Sequence, residues 1–313
     1  SIPIKGASKI PTISTRVEVS EATVSVPTPP ITLERVKGEF VYEYPRGIAD
    51  GSLAARFENQ DILLDLDLDA NDLGLSQKGF SLATSARLGG DDVNRLLGVT
   101  VPDGLLDGSS AFDIVFQAGR GAALNVTSDL DGLAVGLPLP FNKSPEQSES
   151  LEIDLRISDA LSIDAKYSNN LSLSIAQETE NAWWALASIG EVRSEPTLDD
   201  VDAGTAVISG RIEELDISAW ADTQARFRSG GNPGLPAIVW RDFSVDKLAL
   251  GETDFGAFSS TGQYEGGLTS LGLAGDFIKA QIDFDGPEAQ LNIQIESLSL
   301  DSLPVSYTHL RAH

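Results

Sequence analysis

Residues 61–69 read Asp61-Ile-Leu-Leu-Asp-Leu-Asp-Leu-Asp69, an alternation of aliphatic and acidic residues with a period of two. In an extended strand, successive side chains leave on opposite faces. Ile62, Leu64, Leu66 and Leu68 therefore share one face, and Asp61, Asp65, Asp67 and Asp69 share the other. A helix would scatter both sets around its circumference, so the segment is a strand with one apolar and one charged side. The same rhythm returns at residues 80–88, 151–157, 161–167, 171–175, 277–284 and 290–300. The chain is thus built of sheet with a greasy face and a wet face, and what the greasy face touches is the functional question.

The charge narrows the answer. Among 313 residues, 47 are acidic and 22 basic, a formal charge of −25 spread along the chain. Nucleic acid needs a basic footprint and is excluded as a partner. The polar face is equally unsuited to anionic headgroups. At 41% apolar residues in regular phase, the chain has the material to fold. No apolar run reaches the roughly 18 residues that a membrane-spanning helix needs.

Methionine is absent, which implies a fragment or processed product of a longer protein. Residues 306–313, Ser306-Tyr-Thr-His-Leu-Arg-Ala-His313, break the strand pattern and look like a translated sequencing adaptor, expected to lie outside the fold. Both histidines of the chain, His309 and His313, fall in that stretch. Residues 1–305 then hold no Cys, His or Met, so imidazole acid–base chemistry, thiolate nucleophiles and His or Cys metal sites are unavailable there. Absence of cysteine is compatible with an oxidising compartment such as a periplasm.

Short alternating segments separated by Gly- and Pro-bearing turns predict an all-β, mainly antiparallel fold of about sixteen to twenty strands. Residues 1–30, rich in Pro, Ser, Thr and Val, carry two short strands; 31–177 form a first run of sheet and 205–305 a second. Between them, 178–204 read as an irregular connection apart from a strand around Trp183 and Trp184. The period changes at 91–97, where Val93, Leu96 and Leu97 fall at i, i+3 and i+4 behind Asp91 and Asp92, with Gly98 beyond, predicting a short helix. A single helical turn is expected at 218–222.

Candidate chemistry is thin. Asp65, Asp67, Asp69 and Asn71 imitate the opening of a calcium loop, but the Gly and the acid required further on are Ala70 and Ser76. Interleaved leucines favour a strand with solvated carboxylates. Acidic pairs suited to glycoside hydrolysis are uninformative among so many acids. Trp183 and Trp184, as adjacent strand residues, point to opposite faces, so one is expected in the core and the other at the surface. No nucleophile elbow, phosphate-binding loop or dinucleotide fingerprint occurs. Neither a catalytic set, a cofactor nor a metal is expected.

Two segments carry a family likeness. Ser128-Asp-Leu-Asp-Gly-Leu-Ala134 followed by Leu137-Pro-Leu-Pro-Phe-Asn-Lys143, and Ser209-Gly-Arg-Ile-Glu-Glu-Leu-Asp-Ile-Ser-Ala-Trp220, resemble motifs of the YhdP family of bacterial AsmA-like envelope proteins, relatives of TamB. Residues 31–57 and 276–300 fit the same framework more loosely. The resemblance implies an elongated, curled, taco-like sheet with a hydrophobic groove, in a periplasmic protein anchored in the inner membrane. It implies phospholipids as cargo, moved between inner and outer membranes, with both membrane contacts made through other parts of the parent. No catalytic residue is implied.

Shielding each acyl CH₂ from water is worth about 0.8 kcal/mol, so a continuous aliphatic trough suits lipid chains. The in-phase positions expected to line it are Ile62, Leu64, Leu66 and Leu68; Leu151, Ile153 and Leu155; Ile163; Leu171 and Leu173; Ile278, Ile282 and Phe284; and Leu291, Ile293 and Ile295. The alternative is a structural or adhesive β-sandwich module, in which the same residues pack as a closed core.

Overall fold

Period-two alternation becomes strand throughout a computed structural model of the chain, which describes residues 13–26, 31–44, 47–67, 80–97, 101–118, 121–179, 182–191, 203–228, 237–251, 253–265, 268–276, 278–285 and 290–299. Nineteen strands and two short helices occur among these residues. The all-β, mainly antiparallel class read from the alternation is the one observed. Contacts divide the chain into two units, one of Ser1–Gly136, Lys143–Ser168 and Ala176–Thr179, the other of Leu137–Asn142, Asn169–Ile175 and Glu180–His313.

The first unit runs β1 (Ile13–Val26), β2 (Ile31–Tyr44), β3 (Gly47–Phe57), β4 (Gln60–Asp67), β5 (Phe80–Gly89), α1 (Gly90–Leu97), β6 (Leu106–Ala118), β7 (Ala122–Ser128), the short β8 (Leu133–Val135), β9 (Leu151–Ile157) and β10 (Leu161–Tyr167). Every pairing in it is antiparallel: β1 to β6 each pair with the next, β7 pairs with β9 and β9 with β10, while β8 pairs with the start of β6.

The N-terminal stretch is one 14-residue strand and not two short ones. Its valines change parity, Val17 and Val19 being odd and Val24 even, and the register shifts between Val19 and Val24 absorb the change. Glu21 takes φ 56° there. In β2 the apolar positions likewise pass from Leu33 to Val36 and Phe40, with Arg35 at φ 51° and a register shift between Glu34 and Lys37. Such bulges bend a strand and increase its twist, so the sheet of this unit curls over the face they preserve.

That face is packed. Val36, Leu53, Ala55, Phe57, Ile62, Leu64, Leu66, Ala86, Leu88 and Phe112 form one buried cluster, joined by Leu130 and Leu133 from the segment after β7. The next turn of chain is fastened by Lys143, only 3% exposed. Its Nζ donates to the carbonyls of Leu133 at 2.8 Å and Ser144 at 3.0 Å, and its backbone makes a two-way bridge with Val135.

The second unit contains β11 (Leu171–Thr179), whose last four residues group with the first, then β12 (Ala182–Gly190), β13 (Thr205–Asp216), α2 (Ile217–Arg228), β14 (Ala237–Leu250), the two-residue β15 (Thr253–Asp254), β16 (Phe258–Glu265), β17 (Leu268–Gly275), β18 (Ile278–Asp285) and β19 (Gln290–Leu298). β12, β13 and β14 lie parallel, whereas β14, β16, β17, β18 and β19 follow antiparallel. The helical turn expected at 218–222 is a 12-residue helix. The Asp216 carboxylate caps it, accepting from the backbone N–H of Ser218 at 2.8 Å and Ala219 at 3.3 Å. A crossover of this kind is what parallel strands require. Parallel sheet tends to be covered on both sides, and here Val207 on one face of β13 and Ile212 on the other are both buried. Trp183 and Trp184 are accordingly both half-buried; neither is a surface residue.

Two stability measurements check this core. Leu64→Ala is expected to cost about 2–5 kcal/mol in urea unfolding, and Leu63→Ser, on the opposite face and 56% exposed, less than about 0.5 kcal/mol. Lys143→Met leaves two carbonyls without their donor and is expected to cost about 1–3 kcal/mol. A thermal midpoint unchanged by Lys143→Met would show that the lysine does not fasten the loop.

Candidate functional site

Cross-strand register assembles the apolar side chains into rows. In the first unit, Val17, Phe40, Gly51, Leu66, Leu82, Phe116, Leu124, Leu155 and Ile163 are successive partners from β1 to β10. No polar residue interrupts that row. A neighbouring row joins Ile114, Val126, Ile153 and Ala165. The glycine is there by necessity: a Cβ at Gly51 would stand 2.4 Å from that of Phe40.

In the second unit the equivalent row is Ala187, Ile208, Trp240, Gly262, Leu271, Ile282 and Ile293, from β12 to β19. Ile212 opposes Val245 on the same face, which ends at the ion pair of Glu214 with Lys247, 2.7 Å. The hydrogen bond that the ammonium donates to the Glu214 carboxylate raises the Lys247 pKa above its ordinary value, against a smaller desolvation effect, so the ammonium stays charged at that rim.

The opposite face of the first unit is solvated. Asp61, Asp65 and Asp67 are exposed. Register sets Glu18 opposite Glu39, Asp50 opposite Asp67 and Asp154 opposite Asp164. Like charges placed directly opposite destabilise a sheet, and neighbouring donors offset them here: Arg16 lies 3.5 Å from Glu39, and the Asn125 amide donates to Asp154 at 3.0 Å. Among the described residues no group of three His, Cys, Asp or Glu is placed to hold a metal ion. Asp69, Ala70, Asn71 and Ser76, the rest of the calcium-like stretch, lie outside the described residues.

The residues expected to line a groove fall into three environments. Ile62, Leu64 and Leu66 are sealed in the buried cluster at 7, 2 and 6% exposure, and Leu68 lies outside the described residues. Leu151, Ile153, Leu155, Ile163, Leu171, Leu173, Ile278 and Ile282 are half-buried. Ile293 and Ile295 are about half exposed, at 49 and 54%. Register pairs Phe284 with Leu291, whose side chains lie outside the described residues, and Ile282 with Ile293, with Ile295 opposite the buried Ala280, so Ile278, Ile282, Ile293 and Ile295 share one face. The apolar face of the first unit is therefore closed around β3 to β5 and half-covered across β7 to β10. Tyr167, at the edge of the cluster, has its phenol pKa pushed up by burial and then by the Glu149 carboxylate, so it stays neutral.

Alternation gave no hint of one further constellation. Within the second unit the tip Leu137–Asn142 meets α2: the Trp220 indole N–H donates to the Leu139 carbonyl at 3.2 Å, and its ring stands edge-on to Phe141 with centroids 5.9 Å apart. The Asn170 amide donates to the Pro140 carbonyl at 3.2 Å. The two family-like motifs, distant in sequence, thus touch. Their Trp and Phe were the available signal, but nothing in the spacing says that they pair.

The family model described as YhdP protein matches residues 1–311. Comparisons with curated proteins and with solved structures give no match. Proteins of the matched family belong to the cell envelope and are not known as enzymes. No helix of the described residues is long and apolar enough to cross a membrane, which says nothing of a β-barrel. The chain belongs to the YhdP family.

Proposed function

We propose that the apolar face of this chain shields phospholipid acyl chains while they pass between the inner and outer membranes. The chain then acts without catalysis, as a periplasmic stretch of a parent protein anchored in the inner membrane, with other parts of that parent meeting the two membranes. The observation that carries the reading is the pair of uninterrupted apolar rows, closed at β3 to β5 but half-open at β7 to β10 and on β18 and β19. Rows of apolar side chains, whose one donor, the Trp240 indole N–H, is already taken up by Ser260, bind aliphatic chains by area, at about 0.8 kcal/mol per buried CH₂, and do not select a headgroup. The charged opposite face keeps such a sheet in water and disfavours adsorption to anionic lipid surfaces. The contact positions are Leu151, Ile153, Leu155 and Ile163 in the first unit and Ile282, Ile293 and Ile295 in the second. Ile62, Leu64 and Leu66 brace that wall from inside the core.

The sealed cluster favours a second reading, a structural module of the envelope in which the apolar face serves packing only. Photocrosslinking separates the two. Benzoylphenylalanine at Ile153 or Ile293 is expected to capture phospholipid in cells, and at Leu63, as exposed as Ile293 but on the acidic face, to capture none. Absence of lipid at both apolar positions in a folded protein, or equal capture at Leu63, would leave the structural module standing.

A further inference from the structure

The row of the second unit holds one residue much larger than the rest. Trp240 lies among Ile208, Gly262, Leu271 and Ile282, on the face that also carries Ile293. An indole standing upright from a sheet fills most of the about 10 Å available between packed layers. Trp240 does not stand upright. A Cβ at Gly262 would sit 2.7 Å from its Cζ2 and 2.8 Å from its Cε2, so the ring lies flat across the glycine of the next strand. The same Cβ would meet the Ser270 carbonyl oxygen at 2.5 Å, which makes the site narrow on its other side as well. The indole N–H donates to the Ser260 hydroxyl at 2.9 Å. Ser260 and Gly262 are alternate residues of β16 and share a face, so the hydrogen bond holds the ring along that strand.

From this geometry we infer that Trp240 is the floor of the acyl-chain path: the Ser260 hydroxyl pins its indole flat over Gly262, and the pinned ring keeps the clearance that a lipid chain needs. The inference rests on the acyl-chain reading of this face. Unpinned, the ring can rotate away from the sheet and occupy the path. Its N–H is already taken up by Ser260, so the ring turns an apolar face towards the chain.

The test uses the full chain and vesicles containing phosphatidylethanolamine with a diazirine in one acyl chain, with cross-link yield read on peptides of β17 and β18. Ser260→Ala should lower the yield about fivefold, the shift produced by losing one net hydrogen bond of about 1 kcal/mol. Ser260→Thr, which keeps the hydroxyl, should retain it. Trp240→Phe, unable to donate, should behave as Ser260→Ala does and serves if that variant misfolds. Combining Ser260→Ala with Trp240→Ala should restore the yield, because no ring is left to swing. Unchanged yield in both Ser260→Ala and Trp240→Phe, or failure of the double variant to recover, overturns the role of Trp240 while leaving the lipid face intact. No cross-link in the unsubstituted chain overturns the lipid reading itself and this inference with it.

Discussion

A slip of one residue between any two neighbouring strands would turn a whole strand's aliphatic side chains from the apolar face to water, because the side-chain period is two. Registration is therefore the condition on which both the core and the candidate site depend. The chain meets it even where its own pattern falters. Val17 and Val19 differ in parity from Val24, and Leu33 from Val36; each time a bulge near a residue of positive φ restores the phase. The bulges do double duty, since the same distortions that rescue registration also bend the sheet over its apolar side.

Local periodicity made much of the fold legible. The strand at residues 61–67 and the helix at Asp91 to Leu97 were readable residue by residue, as were β9 and β10, because each obeys one period over its whole length. The continuity of β1 was not readable, since a parity change looks like a chain break until the partner strand is seen. The length of α2 was also hidden: its apolar residues form no regular stripe, and the cap at Asp216 belongs equally to a strand end. Parallel pairing of β12, β13 and β14 depends on how the intervening chain crosses over, which alternation does not encode.

For the candidate site, face membership was legible and exposure was not. The residues of β4 and of β9 show the same alternation, yet Leu64 is sealed while Ile153 is half-covered. The difference comes from what lies over them, including Leu130 and Leu133 from a segment that has little strand pattern of its own. Trp220 and Phe141 make the complementary case. Each stood out as a motif residue, but their contact is a tertiary fact, fixed by where α2 and the Pro-rich tip arrive in the second unit.

The parallel strands of the second unit also bear on the order in which the molecule assembles. In the first unit most pairings join strands adjacent in sequence, so a hairpin can close soon after its second strand is made, with little loop entropy to overcome. β13 has to wait for β14 until α2 and the segment after it have been synthesised and brought back across the sheet. Until then Val207 and Ile212 lack the cover of their finished surroundings. During that interval β13 also presents an unpaired edge, so its surroundings are where a wrong strand would most readily add.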